Sequence, residues 1–144
     1  MVKDEDSQTP SVLVVDANAR HRLLYEMEIE AQGYEVVCAR DGQEALRQVQ
    51  HRYFDVAVID ILLPDINGKE LVKAISTRRQ NLPIIINTAY AYRKSHFRHW
   101  AVEAVIMKSS DLNELLNTIA SALQFHRSQK ISEMAGHQST IYVE

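Results

Sequence analysis

Two kinds of segment alternate along this chain. Short runs of apolar and β-branched residues fall at VLVV (12–15), YEVVCA (34–39), FDVAVI (54–59), LPIIIN (82–87) and EAVIM (103–107). Each is the length of one strand. Between them, apolar residues recur at helical spacing. Leu23, Leu24, Met27 and Ala31 fall on one predicted face, Ala45, Leu46 and Val49 on a second, and Leu71, Val72 and Ile75 on a third. The last stretch is the most regular, with Leu112, Leu115, Leu116, Ile119, Ala120 and Leu123 repeating at i, i+3, i+4, i+7. Asp41 with Glu44, and Asp111 with Glu114, have the spacing of capping boxes. Gly33 and Gly42 stand where the first helix should end and the second begin.

Five strands alternating with five helices predict right-handed crossovers and an α/β doubly wound domain, a parallel sheet with helices on both faces. The almost wholly apolar runs VAVI and PIII suit strands buried on both sides. The domain is placed over 11–127, between a polar, flexible N-terminal arm over 1–10 and a C-terminal tail over 128–144 whose scattered apolar residues are too few for a second core.

Charge and composition narrow the function. With a net charge of −3 and no run of Lys or Arg, the chain does not read as a nucleic-acid binder. Its single cysteine, Cys38, rules out an intrachain disulfide and sits in the apolar run VVCA, where it reads as a buried structural thiol. Without a signal peptide or a long apolar span, a cytoplasmic protein with no membrane partner is expected.

Ligands of a doubly wound sheet bind outside the carboxyl ends of its strands. VLVV is followed by Asp16, VAVI by Asp60, PIII by Asn87 and Thr88, and AVIM by Lys108. Two carboxylates, a hydroxyl and an amine are thereby directed to one edge. Crowded carboxylates favour a hard cation, and oxygen ligands suit Mg²⁺. A carboxylate beside a cation, a hydroxyl and an ammonium is equipped to accept a phosphoryl group, with Asp60 as nucleophile.

DVAVIDILLPDING, with Pro64 four and Gly68 eight residues after Asp60, resembles the phosphoacceptor segment of the receiver domain of bacterial two-component response regulators. IIINTA resembles that family's fourth-strand signature, with Thr88 followed by the small Ala89, and AVIMKSS its fifth-strand signature with Lys108. The resemblance spans roughly 11–125. It implies a flavodoxin-like (βα)5 fold with strand order 2-1-3-4-5, and a stand-alone, divergent signalling switch rather than an enzyme. Asp60 would be phosphorylated by a histidine kinase or phosphotransfer protein, and Thr88 and Lys108 would bind the phosphoryl oxygens. Mg²⁺ would be held by Asp16, Asp60 and the backbone carbonyl of Leu62. A downstream protein would dock on the face of helix four, strand five and helix five, which often mediates homodimerisation in such proteins.

This sequence also departs from the family pattern. Ala17 stands where a second acid commonly binds Mg²⁺, which weakens the expected site; Asn18 and Asp65 are neighbouring side chains able to help through water. Ser109 replaces the usual proline after the lysine, so a trans peptide is expected there. Val105 replaces an aromatic that swings inward on activation, leaving any switch to the loop after strand four and helix four, TAYAYRKSHFRHWAVE. There Phe97, Trp100 and Ala101 share a predicted core face. Leu62 and Tyr90 flank the approach of a hydrolytic water and predict slow loss of the phosphoryl group. The competing expectation is a pseudo-receiver, a protein-interaction module with weak or no Mg²⁺-dependent phosphorylation. An aspartyl-nucleophile hydrolase is disfavoured because Leu62 occupies the place of its second acid. A flavodoxin is disfavoured because DANARH lacks a phosphate cradle, and no glycine-rich dinucleotide fingerprint or P-loop occurs.

Overall fold

The computed structural model describes residues 9–89 and 94–126. The chain runs β1 (Ser11–Val15), α1 (Ala19–Glu30), β2 (Glu35–Ala39), α2 (Gly42–His51), β3 (Val56–Ile59), α3 (Gly68–Arg78), β4 (Ile84–Thr88), a 3₁₀ turn (Lys94–Phe97) and β5 (Ala104–Met107). A further helix, α4, covers 113–126. The five strands form one parallel sheet in the order β2-β1-β3-β4-β5. This is the expected order, and it places β1 and β3 side by side at the centre.

Successive strand residues point to opposite faces, and the sheet uses both. Leu13, Val15, Ala57, Ile59, Ile84 and Ile86 meet Ala45 and Val49 of α2 and Leu71, Val72 and Ile75 of α3. Val12, Val14, Val56, Val58, Ile85 and Ile106 meet Tyr25 and Ile29 of α1 and Leu115, Ile119 and Ala122 of α4. Strands buried on both sides have no polar alternation to show, which is why the runs read as continuously apolar.

Helix ends follow local chemistry. Asp41 caps α2 by accepting from the Glu44 N–H, and Gly33 turns the chain after α1 at φ 97°, where a side chain would be strained. Asp111 accepts from the Asn113 N–H, so its cap reaches a different donor from the one the box spacing implies. Asn18 and Asn67 cap α1 and α3.

Four expectations need correction. The face of α1 was expected at Leu23, Leu24, Met27 and Ala31, but Leu23 and Met27 are each 60% exposed and the helix buries Tyr25 and Ile29 instead. The helix carries apolar residues on both sides, and the aromatic and β-branched pair at i, i+4 is the one that packs on the sheet. Ala120 is likewise exposed on α4, with Ala122 turned to the core. The described residues between β4 and β5 form the 3₁₀ turn, and among the described residues there are four α-helices where five were expected. Phe97, the last residue of the 3₁₀ turn, and Trp100, beyond its end, pack edge to face with centroids 4.8 Å apart. Ala101, placed with them in advance, is exposed. Residues 1–8, Tyr90 and the tail over 128–144 lie outside the described residues.

Candidate functional site

Asp16, Asp60 and Lys108 each stand one residue beyond the carboxyl end of a strand, with their backbone N–H groups still held by the sheet. Asp16 donates to Ala39 O at 3.0 Å, Asp60 to Val15 O at 2.8 Å and Lys108 to Thr88 O at 2.8 Å. The sheet therefore fixes where each side chain starts. Both carboxylates then divide their oxygens in the same way. Oδ1 of Asp16 accepts from the Asn18 N–H at 2.9 Å and Oδ1 of Asp60 from the Leu62 N–H at 3.0 Å, each closing a local turn. Each Oδ2 is left to face Lys108, whose Nζ lies 2.7 Å from both.

Burial makes this cluster strong. Side-chain exposure is 3% for Asp16, 7% for Asp60 and 10% for Lys108. Burial alone works to lower the pKa of Lys108, but its hydrogen bonds and attraction to Asp16 and Asp60 prevail and hold it above its usual value. The lysine is a fixed cation at neutral pH.

The other residues expected at the site are placed as follows. Thr88 ends β4 and is buried, with Lys108 donating its backbone N–H to the Thr88 carbonyl. Ala17 and Ala89 are exposed and bring no donor side chain. Leu62 is exposed and forms an isolated antiparallel bridge with Asn67. Gly68 packs so closely on this loop that an added Cβ would lie 2.6 Å from Ile61 Cβ, which accounts for a glycine eight residues after Asp60. The Lys108–Ser109 peptide is trans as expected, and Ser109 Oγ accepts from the Asp111 N–H ahead of α4. Val105 is half-buried against the cluster that contains Phe97. Asn18 and Asp65 are already engaged: Asn18 Oδ1 accepts from the N–H groups of Arg20 and His21, and the Asp65 carboxylate accepts from Gly42 and Gln43.

Sequence reasoning missed two members of the neighbourhood. His21 Nδ1 lies 2.9 Å from Lys108 Nζ and 3.9 Å from Asp16 Oδ2. Tyr25, one turn further along α1, shares a hydrogen bond with the Asn87 side chain; burial first of all raises its pKa, so the phenol stays protonated. The signal was present as the i, i+4, i+8 series His21, Tyr25, Ile29. Cys38 sits away from this edge, its Sγ 3.4 Å from Glu26 Oε2, with its pKa pushed up to about 12 by burial and by that carboxylate. Its sulfur is unsuited to act as a nucleophile.

Two buried carboxylate oxygens converging on one positive charge are a donor set that suits a divalent cation as well as an ammonium. Among the described residues, no three His, Cys, Asp or Glu side chains already stand as a metal-holding group. The geometry suits a pocket in which Lys108 balances the acids and a transferred anionic group meets both an ammonium and a hydroxyl-bearing strand end.

A parallel 2-1-3-4-5 sheet with this edge defines a receiver domain, and residues 12–120 match the family model of the response regulator receiver domain. The chain belongs to that family. It is 33% identical over 119 residues to the polar-differentiation response regulator DivK of Brucella ovis, covering 80% of this chain and 97% of that protein. It is 31% identical over 127 residues to the response regulator ArlR of Staphylococcus aureus, across 87% of this chain and 58% of the relative. Among solved structures, a CheY-like receiver domain protein from Methanospirillum hungatei superposes with a TM-score of 0.80 at 27% identity, covering 85% of this chain and 99% of that one. The response regulator TrrA of Thermotoga maritima, solved in complex with Mg²⁺-BeF, gives a TM-score of 0.76 at 31% identity over 80% of this chain and 100% of its own. No helix among the described residues is long and apolar enough to cross a membrane.

Proposed function

We propose that this chain is a phosphorylation-dependent switch that accepts a phosphoryl group on Asp60 from a histidine kinase or phosphotransfer protein and passes the signal to another protein. The observation that carries the reading is the convergence of Asp16 Oδ2 and Asp60 Oδ2 on Lys108 Nζ at the carboxyl edge of the sheet. In the transfer, an Asp60 carboxylate oxygen bonds to phosphorus while the P–N bond of the donor's phosphohistidine breaks, its electron pair returning to the donor ring. Lys108 turns from the Asp60 carboxylate to the new phosphoryl oxygens, and the Thr88 hydroxyl donates to another. A bound Mg²⁺ would neutralise charge on the transferred group; Asp16, Asp60 and the Leu62 carbonyl would hold it, weakly, because Ala17 adds no ligand. The output surface lies toward β5, α4 and the segment between β4 and β5.

Beryllofluoride, which mimics a phosphoryl group on a carboxylate, tests the reading by amide NMR. Its addition with Mg²⁺ is expected to shift the resonances of Asp60, Thr88 and Lys108 in the wild type and not in Asp60→Asn. An unchanged wild-type spectrum would instead favour a pseudo-receiver, the reading that exposed, ligand-free Ala17 supports.

A further inference from the structure

Lys108 reaches the site from an edge strand. Its side chain leaves the end of β5 and crosses the end of β4 to meet Asp60 after β3 and Asp16 after β1, with about 4.8 Å between neighbouring strands. A flexible stem carrying a rotating ammonium does not hold such a reach by itself. Among the described residues the ammonium has three partners for its three N–H groups: Asp16 Oδ2 and Asp60 Oδ2, each at 2.7 Å, and His21 Nδ1 at 2.9 Å. An ammonium only donates, so Nδ1 accepts, and the ring proton belongs on Nε2. The other tautomer would aim an Nδ1 proton at Asp16 Oδ2, which is 3.9 Å away and too far for a hydrogen bond.

The histidine is itself held. Asp16 Oδ1 accepts from the Asn18 N–H at 2.9 Å, and Asn18 Oδ1 accepts from the His21 N–H at 3.1 Å. Lys108 then joins His21 Nδ1 back to Asp16 Oδ2. The four residues close a ring of hydrogen bonds that ties the first turn of α1 to the end of β5. One turn further on, buried Tyr25 backs the imidazole, with ring centroids 6.0 Å apart.

Two of the lysine's partners are charged and the third is neutral, and the neutral one serves a different purpose. A third carboxylate would repel an incoming anion, whereas a neutral imidazole fixes the ammonium without cancelling its charge. When Asp60 takes up a new group, its own bond to Lys108 is exchanged and the bond from His21 is not. We propose that His21 is a positioning residue for Lys108, its neutral Nδ1 holding the ammonium at the end of its reach and turned toward Asp60. The placement rests on geometry alone; its use in phosphoryl transfer rests on the phosphoacceptor reading.

The test compares His21→Asn, whose side-chain amide puts an acceptor near the place of Nδ1, with His21→Phe, which keeps a ring and has no acceptor. Each full chain is followed by ¹H–¹⁵N NMR of its lysine ammonium groups, and by intact mass during incubation with acetyl phosphate and Mg²⁺. An ammonium held by three acceptors gives a resolved Nζ signal, whereas one that exchanges freely with solvent gives none. The wild type and His21→Asn are expected to show the Lys108 signal and His21→Phe to lose it. His21→Phe is expected to gain the phosphoryl adduct about tenfold more slowly, with His21→Asn within about threefold of the wild type. A Lys108 signal missing from the wild type or persisting in His21→Phe would overturn the proposal. So would an adduct that forms as fast in His21→Phe as in the wild type, or as slowly in His21→Asn as in His21→Phe. Should His21→Phe fail to fold, the wild-type ring decides: ¹⁵N shifts of a protonated Nε2 and a bare Nδ1 at pH 8 support the proposal, and the reverse tautomer overturns it. A wild type that gains no adduct would overturn the phosphoacceptor reading instead, and the ammonium signal and the tautomer would still decide what holds Lys108.

Discussion

Replacing Lys108 with methionine keeps the length of the side chain and removes the charge between two buried acids. All three groups are at most one-tenth exposed, so solvent screening does little to soften the loss. Removing one partner of a buried ion pair costs about 3–5 kcal/mol. Asp16 and Asp60 keep their turn hydrogen bonds from Asn18 and Leu62, which argues for the lower end of that range. With a urea m-value of about 2 kcal/mol/M, a loss of about 3 kcal/mol lowers the unfolding midpoint by about 1.5 M. Because the folded-state pKa of Lys108 is raised above 10.5, its contribution is complete below that pH and is lost only as pH rises through the higher folded value. The gap between wild type and variant should therefore be full at pH 8 and narrow only in strongly alkaline solution. Millimolar Mg²⁺ or Mn²⁺ should restore part of the stability of the variant, since a cation can take the vacated place. Urea unfolding followed by circular dichroism measures both effects. A midpoint shift under about 0.5 M, corresponding to about 1 kcal/mol, would refute the argument that the acids depend on this lysine.

Other perturbations probe single features. Leu62→Asn should speed loss of the phosphoryl group from Asp60 severalfold, because an exposed apolar side chain two residues on gives way to one that can hold water; phosphoprotein half-life by intact mass measures it, and an unchanged half-life refutes the shielding role. Gly68→Ala should lower stability by about 1–3 kcal/mol, because the new methyl group meets Ile61 side chain and backbone, and thermal melting would reveal a tolerated contact if the midpoint did not move. The Asp65 carboxylate has its pKa lowered, foremost by the Gly42 N–H, so its contribution is present above the ordinary value of 3.8 and disappears as pH falls through the depressed folded value. Asp65→Asn should accordingly reduce the acid dependence of unfolding between about pH 5 and pH 2, and an identical acid limb would contradict that assignment.

The strands and the two acids were readable because both depend on short-range pattern, whereas the strand order came from the family resemblance of DVAVIDILLPDING, IIINTA and AVIMKSS. An all-apolar run ending in Asp or Lys says where the strand stops and what is presented there, and Asp16, Asp60 and Lys108 meet as that logic implies. The face of α1 was not readable in the same way. Leu23, Leu24 and Met27 outnumber Tyr25 and Ile29, yet packing on the sheet is decided by which arc faces β1, and apolar residues on both sides leave periodicity without an answer. That misreading hid His21, which a face drawn through Tyr25 would have placed beside the site. The segment between β4 and β5 misled for a related reason, since Phe97 and Trp100 have helical spacing and do pack together, but across the end of a short 3₁₀ turn rather than along one helix. Asn18 and Asp65 show the remaining gap: a polar side chain near a site in sequence is claimed in the fold by the nearest unsatisfied helix N–H groups.

The most direct test of a phosphoacceptor at Asp60 is intact mass after incubation with a small-molecule phosphodonor, with Mg²⁺ and with EDTA, beside Asp60→Asn and Ala17→Asp. The account predicts a single phosphoryl adduct on the wild type that needs the cation, is absent from Asp60→Asn and accumulates faster in Ala17→Asp. No adduct on either the wild type or Ala17→Asp, or an adduct that persists in Asp60→Asn, would contradict it.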